Sequence, residues 1–259
     1  MQRHAFADST ATHPGVHGEP GRRNVPGLAN VAWAKRLTWA DPRVRTLEAQ
    51  VRIPVLGTAP IEMGMRGQEG AIAERLGRDA CYVRMFADAF PEAGGRIDMD
   101  RVAMALAAFQ RTLVSDRSPY DRWRAGDRSA LSGTEKSGAR VFASQCASCH
   151  SGPDFSDSRY HAIGPAGGDR GLAEITGRAA DEGRFRTPGL RNVALTDPYL
   201  HDDDGSARSI EQALTRHDRI GIDPESRGAV AAFLRTLSDR AFVTDPRYAL
   251  PQAACGVSL

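Results

Sequence analysis

Cys146-Ala147-Ser148-Cys149-His150 is the stretch of this 259-residue chain whose residue types and spacing specify a chemistry. Two thiols at this spacing fix a porphyrin through thioethers, and the histidine that follows offers its imidazole to the iron from one face. A zinc half-site would want a second Cys/His pair at short spacing, and none follows. A redox dithiol of the thioredoxin kind would sit in a βαβ pattern, and none surrounds the motif. Covalent c-type haem is therefore the expected cofactor, held by Cys146 and Cys149 with His150 as the proximal ligand. Cys81 and Cys255 remain; they pair in an oxidising compartment or stand as buried thiols.

The opposite face of the iron decides what such a haem does. An electron carrier takes two strong axial ligands, whereas an iron that reacts with peroxide keeps one face open. His217 is the best placed of the other histidines. Ser209 and Gln212 form a capping-box pattern that starts a helix. Ile210, Ala213, Leu214 and His217 then recur at helical spacing, which sets His217 on the buried stripe. His161 and His201 fall in Gly/Pro-rich loops, in reach of haem edges or propionates. The run Asp202-Asp203-Asp204 reads as a solvated turn rather than a metal cage.

The elements that must position these groups read as helices. Short ones are expected over 71–79 and 80–90, the second with Tyr82, Met85, Phe86 and Phe90 at helical spacing. A longer one, capped by Asp100, repeats Val102, Leu106, Phe109 and Leu113. Residues 115–132, with Pro119 and Gly126, read as a linker. A helix over 135–144 leads into the haem motif, and 151–198 reads as mostly loop. Helices over 209–217 and 224–237 follow, the second opened by Asp223 and Pro224 with Val230, Phe233, Leu234 and Leu237 on one face. The first 30 residues read as loop, and no strand alternation stands out. The class is mainly α.

Composition narrows the partners. Lys+Arg at 34 against Asp+Glu at 32 leaves a net charge of +2, with no dense basic run. Such a balance gives no field for a nucleic-acid backbone. No apolar stretch approaches the roughly 20 residues of a membrane span. The opening MQRHAFADSTATHPG has no apolar core of a signal peptide, so none is expected within this sequence.

Several segments together are similar to a known family. "FQRTLVSDRSPYDRW", "ARVFASQCASCHSGPDFSD", "FRTPGLRNVALTDPYLHD" and "SIEQALTRH" resemble the second half of bacterial dihaem cytochrome c peroxidases and MauG. "LTWADPRVRTLEAQVRIPVLGTAPIEMG" and "LRTLSDRAFVTDPRY" resemble the MbnH-type dihaem enzymes of that superfamily, which act beside a copper-binding partner protein. The resemblance implies two cytochrome c-like domains with long loops, over 1–125 and 126–259, in the periplasm. It implies that Cys146, Cys149 and His150 attach the six-coordinate haem. His217 falls where the family puts that iron's distal ligand, a Met in the peroxidases and a Tyr in MauG; a His there implies a low-spin bis-imidazole iron. Trp39 matches the tryptophan that relays electrons between the haems. Gln50 and Glu62 match polar residues over the open face of the peroxide-reacting haem, where a carboxylate does general acid–base work. Asn24, Thr196 and Pro198 match the donors to a calcium ion between the domains, and oxygen donors on loops suit that ion.

One departure stands out. The family carries a first C-x-x-C-H shortly before the segment matched by "AFAD", and here Met1 stands directly upstream of it. The N-terminal domain is thus expected to be truncated, because Trp39, Gln50 and Glu62 are retained; a natural one-haem variant is the alternative. Three functions follow from the resemblance: peroxide-driven oxidation of a protein partner, as MbnH-type enzymes do to a tryptophan of a secreted copper-binding protein; reduction of hydrogen peroxide with electrons from a small cytochrome; or, with one six-coordinate haem, electron transfer without catalysis.

Overall fold

The computed structural model describes residues 1–164, 168–200, 207–217, 221–255 and 257–258. Among them the chain is mainly helical, with ten α-helices and only two-residue strands. In the first half, α1 (Leu47–Leu56), α2 (Glu69–Gly77), α3 (Ala80–Ala89) and α4 (Met99–Thr112) surround small cores. In the second, α5 (Pro119–Arg124) and α6 (Gly133–Gln145) precede the cysteine motif. The irregular stretch after it holds the antiparallel ladder of β1 (Tyr160–His161) with β2 (Phe185–Arg186), and the one-turn α7 (Ala173–Thr176). Then come α8 (Ile210–Thr215), α9 (Pro224–Arg235) and α10 (Arg240–Thr244). No helix among the described residues is long and apolar enough to cross a membrane.

The helix that carries the motif is placed by a close crossing. Along α6, Gly138, Phe142 and the C-cap Cys146 recur every four residues and are all buried. They face α9, whose Val230, Phe233 and Leu234 are buried as the sequence pattern predicted. Gly138 lets the helices approach so closely that a Cβ there would stand 1.9 Å from the Ala229 carbonyl oxygen. Phe155, Leu190, Ile210 and Leu214 complete this core. Both helices start on side-chain caps: Ser132 with Glu135 makes a reciprocal box at α6, and the Asp223 carboxylate accepts the Ser226 N–H at α9.

Four local expectations need correction. Asp98, not Asp100, caps α4, accepting the Arg101 N–H. The buried face of α4 is Met99, Ala103 and Ala107, while Leu106 and Phe109 are exposed. Along α3, only Phe86 and then Phe90 are buried, while Tyr82 and Met85 face solvent. The stretch 115–132 is not a plain linker, because Ser118 and Asp121 form a capping box around Pro119 that nucleates α5.

The two halves are laced together. Asn192, fully buried, donates to Ser115 Oγ and accepts the Asp239 N–H. Asn30 donates to the Ser115 carbonyl and to Asp154 Oδ1, accepting the Ser115 N–H in return. The chain's end returns to the first half: Phe242 packs with Ala5 and Leu113, and Cys255 closes a disulfide with Cys81. That bond resolves the pairing left open by sequence.

Candidate haem site

The motif is wound into a tight turn at the end of α6. The Cys146 N–H donates to the Phe142 carbonyl, and the Cys149 and His150 N–H groups both donate to the Cys146 carbonyl. This brings Cys146, Cys149 and His150 to one cavity of about 800 Å³, within the range of small-molecule and cofactor sites. The two thiols are free of each other, and burial pushes the Cys146 thiol up to about 11. His150 Nδ1 lies 3.0 Å from the Phe155 carbonyl. A carbonyl only accepts, so Nδ1 carries the proton and Nε2 keeps its lone pair. Burial pulls this imidazole down to about 4, opposed by the Phe155 bond and assisted by His217, so the ring is neutral at pH 7.

His217 meets the same cavity by a different route from the one its sequence suggested. Helix α8 stops at Thr215, so His217 sits just past its end rather than on its stripe. Its Nδ1 nevertheless reaches back 2.9 Å to the Ala213 carbonyl, which fixes the ring and leaves Nε2 free by the same argument. Ser209 caps α8 as expected, but Gln212 turns its amide oxygen to the Arg208 N–H instead of closing the box. Ile210, Leu214, Val230 and Leu234 wall the cavity. Two cysteines for thioethers, two imidazoles whose Nδ1 atoms are engaged by carbonyls, and an apolar wall fit a bis-histidine c-type haem.

Cys149, Asp157 and His161 also gather within 4.8 Å. A structural zinc takes four such donors, and this cluster offers three; His161 Nε2 is 2.8 Å from Asp157. His161 lines the haem cavity, whereas His201 and Asp202–Asp204 lie outside the described residues.

The other expected residues divide around that cavity. Trp39, Asn24, Thr196, Pro198 and Gln50 all line it. Trp39 donates its indole N–H to the Asn24 carbonyl at 2.7 Å. Asn24 Nδ2 donates to the Thr10 carbonyl, and Thr196 Oγ1 to the Val193 carbonyl. Pro198 is fully buried and follows a cis peptide. Glu62 is not among the lining residues; it follows α1 in a surface loop, where its carbonyl accepts the Val16 N–H. Desolvation raises its carboxyl above the usual range, and His13 opposes the rise.

Sequence reasoning missed Arg186. Its side chain is 9% exposed and lines the cavity. Its guanidinium donates to the Thr38 and Thr187 carbonyls and lies 5.8 Å from the Trp39 ring centre. No carboxylate pairs with it among the described residues, and desolvation lowers its pKa. A buried cation without an anion is costly, so it suits a cofactor that brings its own carboxylates. Nothing in "FRTPGL" marks that arginine as buried; only the β2 pairing does.

Comparison with known proteins agrees. The model of the di-haem cytochrome c peroxidase family matches residues 1–129, the half without an attachment motif. The chain is 36% identical to methylamine utilization protein MauG of Methylorubrum extorquens over 80% of its own length and 62% of the relative's. It is 33% identical to cytochrome c551 peroxidase of Nitrosomonas europaea, over 76% and 60% respectively. The chain thus spans less than two thirds of the length of these curated relatives. A crystal structure of a MauG-like protein associated with microbial copper homeostasis superposes with TM-score 0.90 and 30% identity, covering 98% of this chain and 86% of that one. With that identity, that coverage and that fold in common, the chain belongs to the dihaem cytochrome c peroxidase/MauG superfamily.

Proposed function

We propose that the chain is the haem-binding portion of a peroxide-dependent oxidoreductase that oxidises a protein partner, as MbnH-type enzymes oxidise a tryptophan of a copper-binding protein. The observation that carries this is one cavity shared by the cysteine pair, two imidazoles and the half-buried Trp39. Bound haem supplies a reversible one-electron iron couple and, at an open face, peroxide activation. Cys146 and Cys149 would hold it through thioethers, His150 and His217 would offer their Nε2 atoms to its iron, and the buried Arg186 guanidinium would pair with its carboxylates. Trp39 is held by Asn24 and backed by Arg186, which orients the indole as an electron relay. Asn24, Thr196 and Pro198 offer oxygens for a calcium ion beside it. Glu62 and Gln50 are assigned to the family's second, open-faced haem, where the Glu62 carboxyl would exchange a proton with peroxide and Gln50 would orient it. We assign the two cytochrome c-like domains to 1–125 and 126–259, with the return of the C-terminal tail onto the first half as their clasp. The Cys81–Cys255 bond supports an oxidising compartment, the periplasm.

The two imidazoles that line one cavity favour a second reading, a bis-histidine electron-transfer cytochrome. The test is incubation of a haem-loaded protein carrying both haem-attachment motifs of the family with hydrogen peroxide and a tryptophan-bearing copper protein encoded beside it. Oxygen addition to the partner's tryptophan, read by peptide mass, is expected. An unmodified partner with normal reversible haem reduction would favour the cytochrome.

A further inference from the structure

Beside the haem cavity, and sharing Phe142, His150, Ser151 and Gly152 with it, a second cleft of about 750 Å³ opens between α5 and α6. Its rim carries Arg124, Arg128, Lys136 and Arg140, and no acidic residue lines it. Among the described residues none of these four side chains has a carboxylate within ion-pair distance; Lys136 Nζ donates only to the Arg128 carbonyl. Four uncompensated cations in one cleft stand out in a chain whose net charge is +2. Other arginines, such as Arg191 with Asp121 and Arg23 with Asp169, are paired.

The floor is aromatic and leads inward. Trp123 and Tyr120 are 6.1 Å apart between ring centres, Tyr120 and Phe155 5.2 Å, Phe155 and Phe142 5.8 Å, and Phe142 and the His150 imidazole 6.4 Å. A bare anion would leave that floor and most of the volume unfilled. A protein surface with carboxylates around an aromatic side chain would satisfy both parts, since interface cores favour aromatics and rims favour complementary charge.

We propose that this cleft docks an acidic, aromatic-bearing surface of a redox partner protein beside His150. The purpose rests on the electron exchange proposed above; the binding itself does not. The probe is a blocked Glu-Glu-Trp-Glu-Glu peptide, titrated calorimetrically into the haem-loaded chain without peroxide. Expected is saturable binding that weakens as ionic strength rises from about 0.01 to 0.15 M, where the screening length drops from about 30 to 8 Å. Arg124→Glu with Arg140→Glu should weaken it about tenfold or more, and the milder Arg124→Gln with Arg140→Gln by less. Both sites are exposed, and an unchanged circular dichroism spectrum confirms the fold. The proposal is overturned if the peptide does not bind, if it binds the charge-reversed protein equally, if phosphate competes at equal concentration, or if phosphatidylglycerol vesicles bind while the peptide does not. Peptide binding without partner oxidation would instead fault only the proposed function.

Discussion

Gly138→Ala isolates the packing that aims the haem motif. An ideal Cβ at residue 138 would stand 1.9 Å from the Ala229 carbonyl oxygen and 3.0 Å from the Phe233 Cβ, where ordinary contact begins at 3.4 Å. The shortfall at the carbonyl is 3.4 − 1.9 = 1.5 Å, and it is met by backbone, which cannot rotate aside like a side chain. Helices α6 and α9 must separate or slide. Overpacking of this kind costs about 1–3 kcal/mol, and a backbone clash lies at the upper end. Alanine regains about 1 kcal/mol of helix propensity over glycine. The clash wins by about 2 kcal/mol, which for a chain of this size is a fall in melting temperature of about 4–8 °C. Thermal melts of the haem-free chain, followed by circular dichroism, measure it. Cys146 lies two turns along the same stripe, so haem incorporation should also fall. A variant melting at or above the wild-type temperature would refute the argument.

Three further outcomes follow from the same geometry. Asp121 accepts from Arg191 with both side chains largely buried; burial raises its carboxyl, but the Arg191 and Ser118 hydrogen bonds outweigh that and leave it lowered. A lowered folded value adds stability above the unfolded value of about 3.9, lost as pH falls through the folded one. Asp121→Asn should therefore cost about 2–3 kcal/mol at pH 7, moderated by Asp154 at 3.4 Å from Arg191, and the gap to wild type should close in acid; a constant gap in urea melts from pH 7 to 3 contradicts it. His217→Ala should turn a low-spin ferric spectrum high-spin, and an unchanged electron paramagnetic resonance signal would assign the sixth position elsewhere. In a protein carrying both haem-attachment motifs of the family, Glu62→Gln should slow the peroxide reaction about 10²–10⁴-fold, read by stopped flow; equal rates would remove Glu62 from proton transfer.

Local chemistry was legible in the sequence, and long-range choices were not. The thioether pair and proximal histidine form one contiguous motif, and α9 announces itself by Asp223, Pro224 and an apolar stripe. Along α4, two stripes satisfy the helical period, and the one rich in alanine is buried because α1 packs closely there. Phe109 finds Phe6 and Tyr248, more than a hundred residues away in sequence, which no local window reveals. The box Ser118–Asp121 was readable but masked by the surrounding Pro and Gly. His217 was chosen for a helical stripe and reaches the cavity through a turn instead, because its back-bond to Ala213 preserves the direction after the helix ends. Arg186 became visible only once the fold enclosed it without a carboxylate.

Covalent haem at Cys146 and Cys149 is the central expectation for this chain. The chain should be produced in cells competent for cytochrome c maturation, beside a control cytochrome that loads fully, and its intact mass measured after denaturation. The predicted result is the mass of the chain plus one haem, lost in Cys146→Ala with Cys149→Ala. An unmodified mass with both thiols free, while the control is loaded, would contradict it.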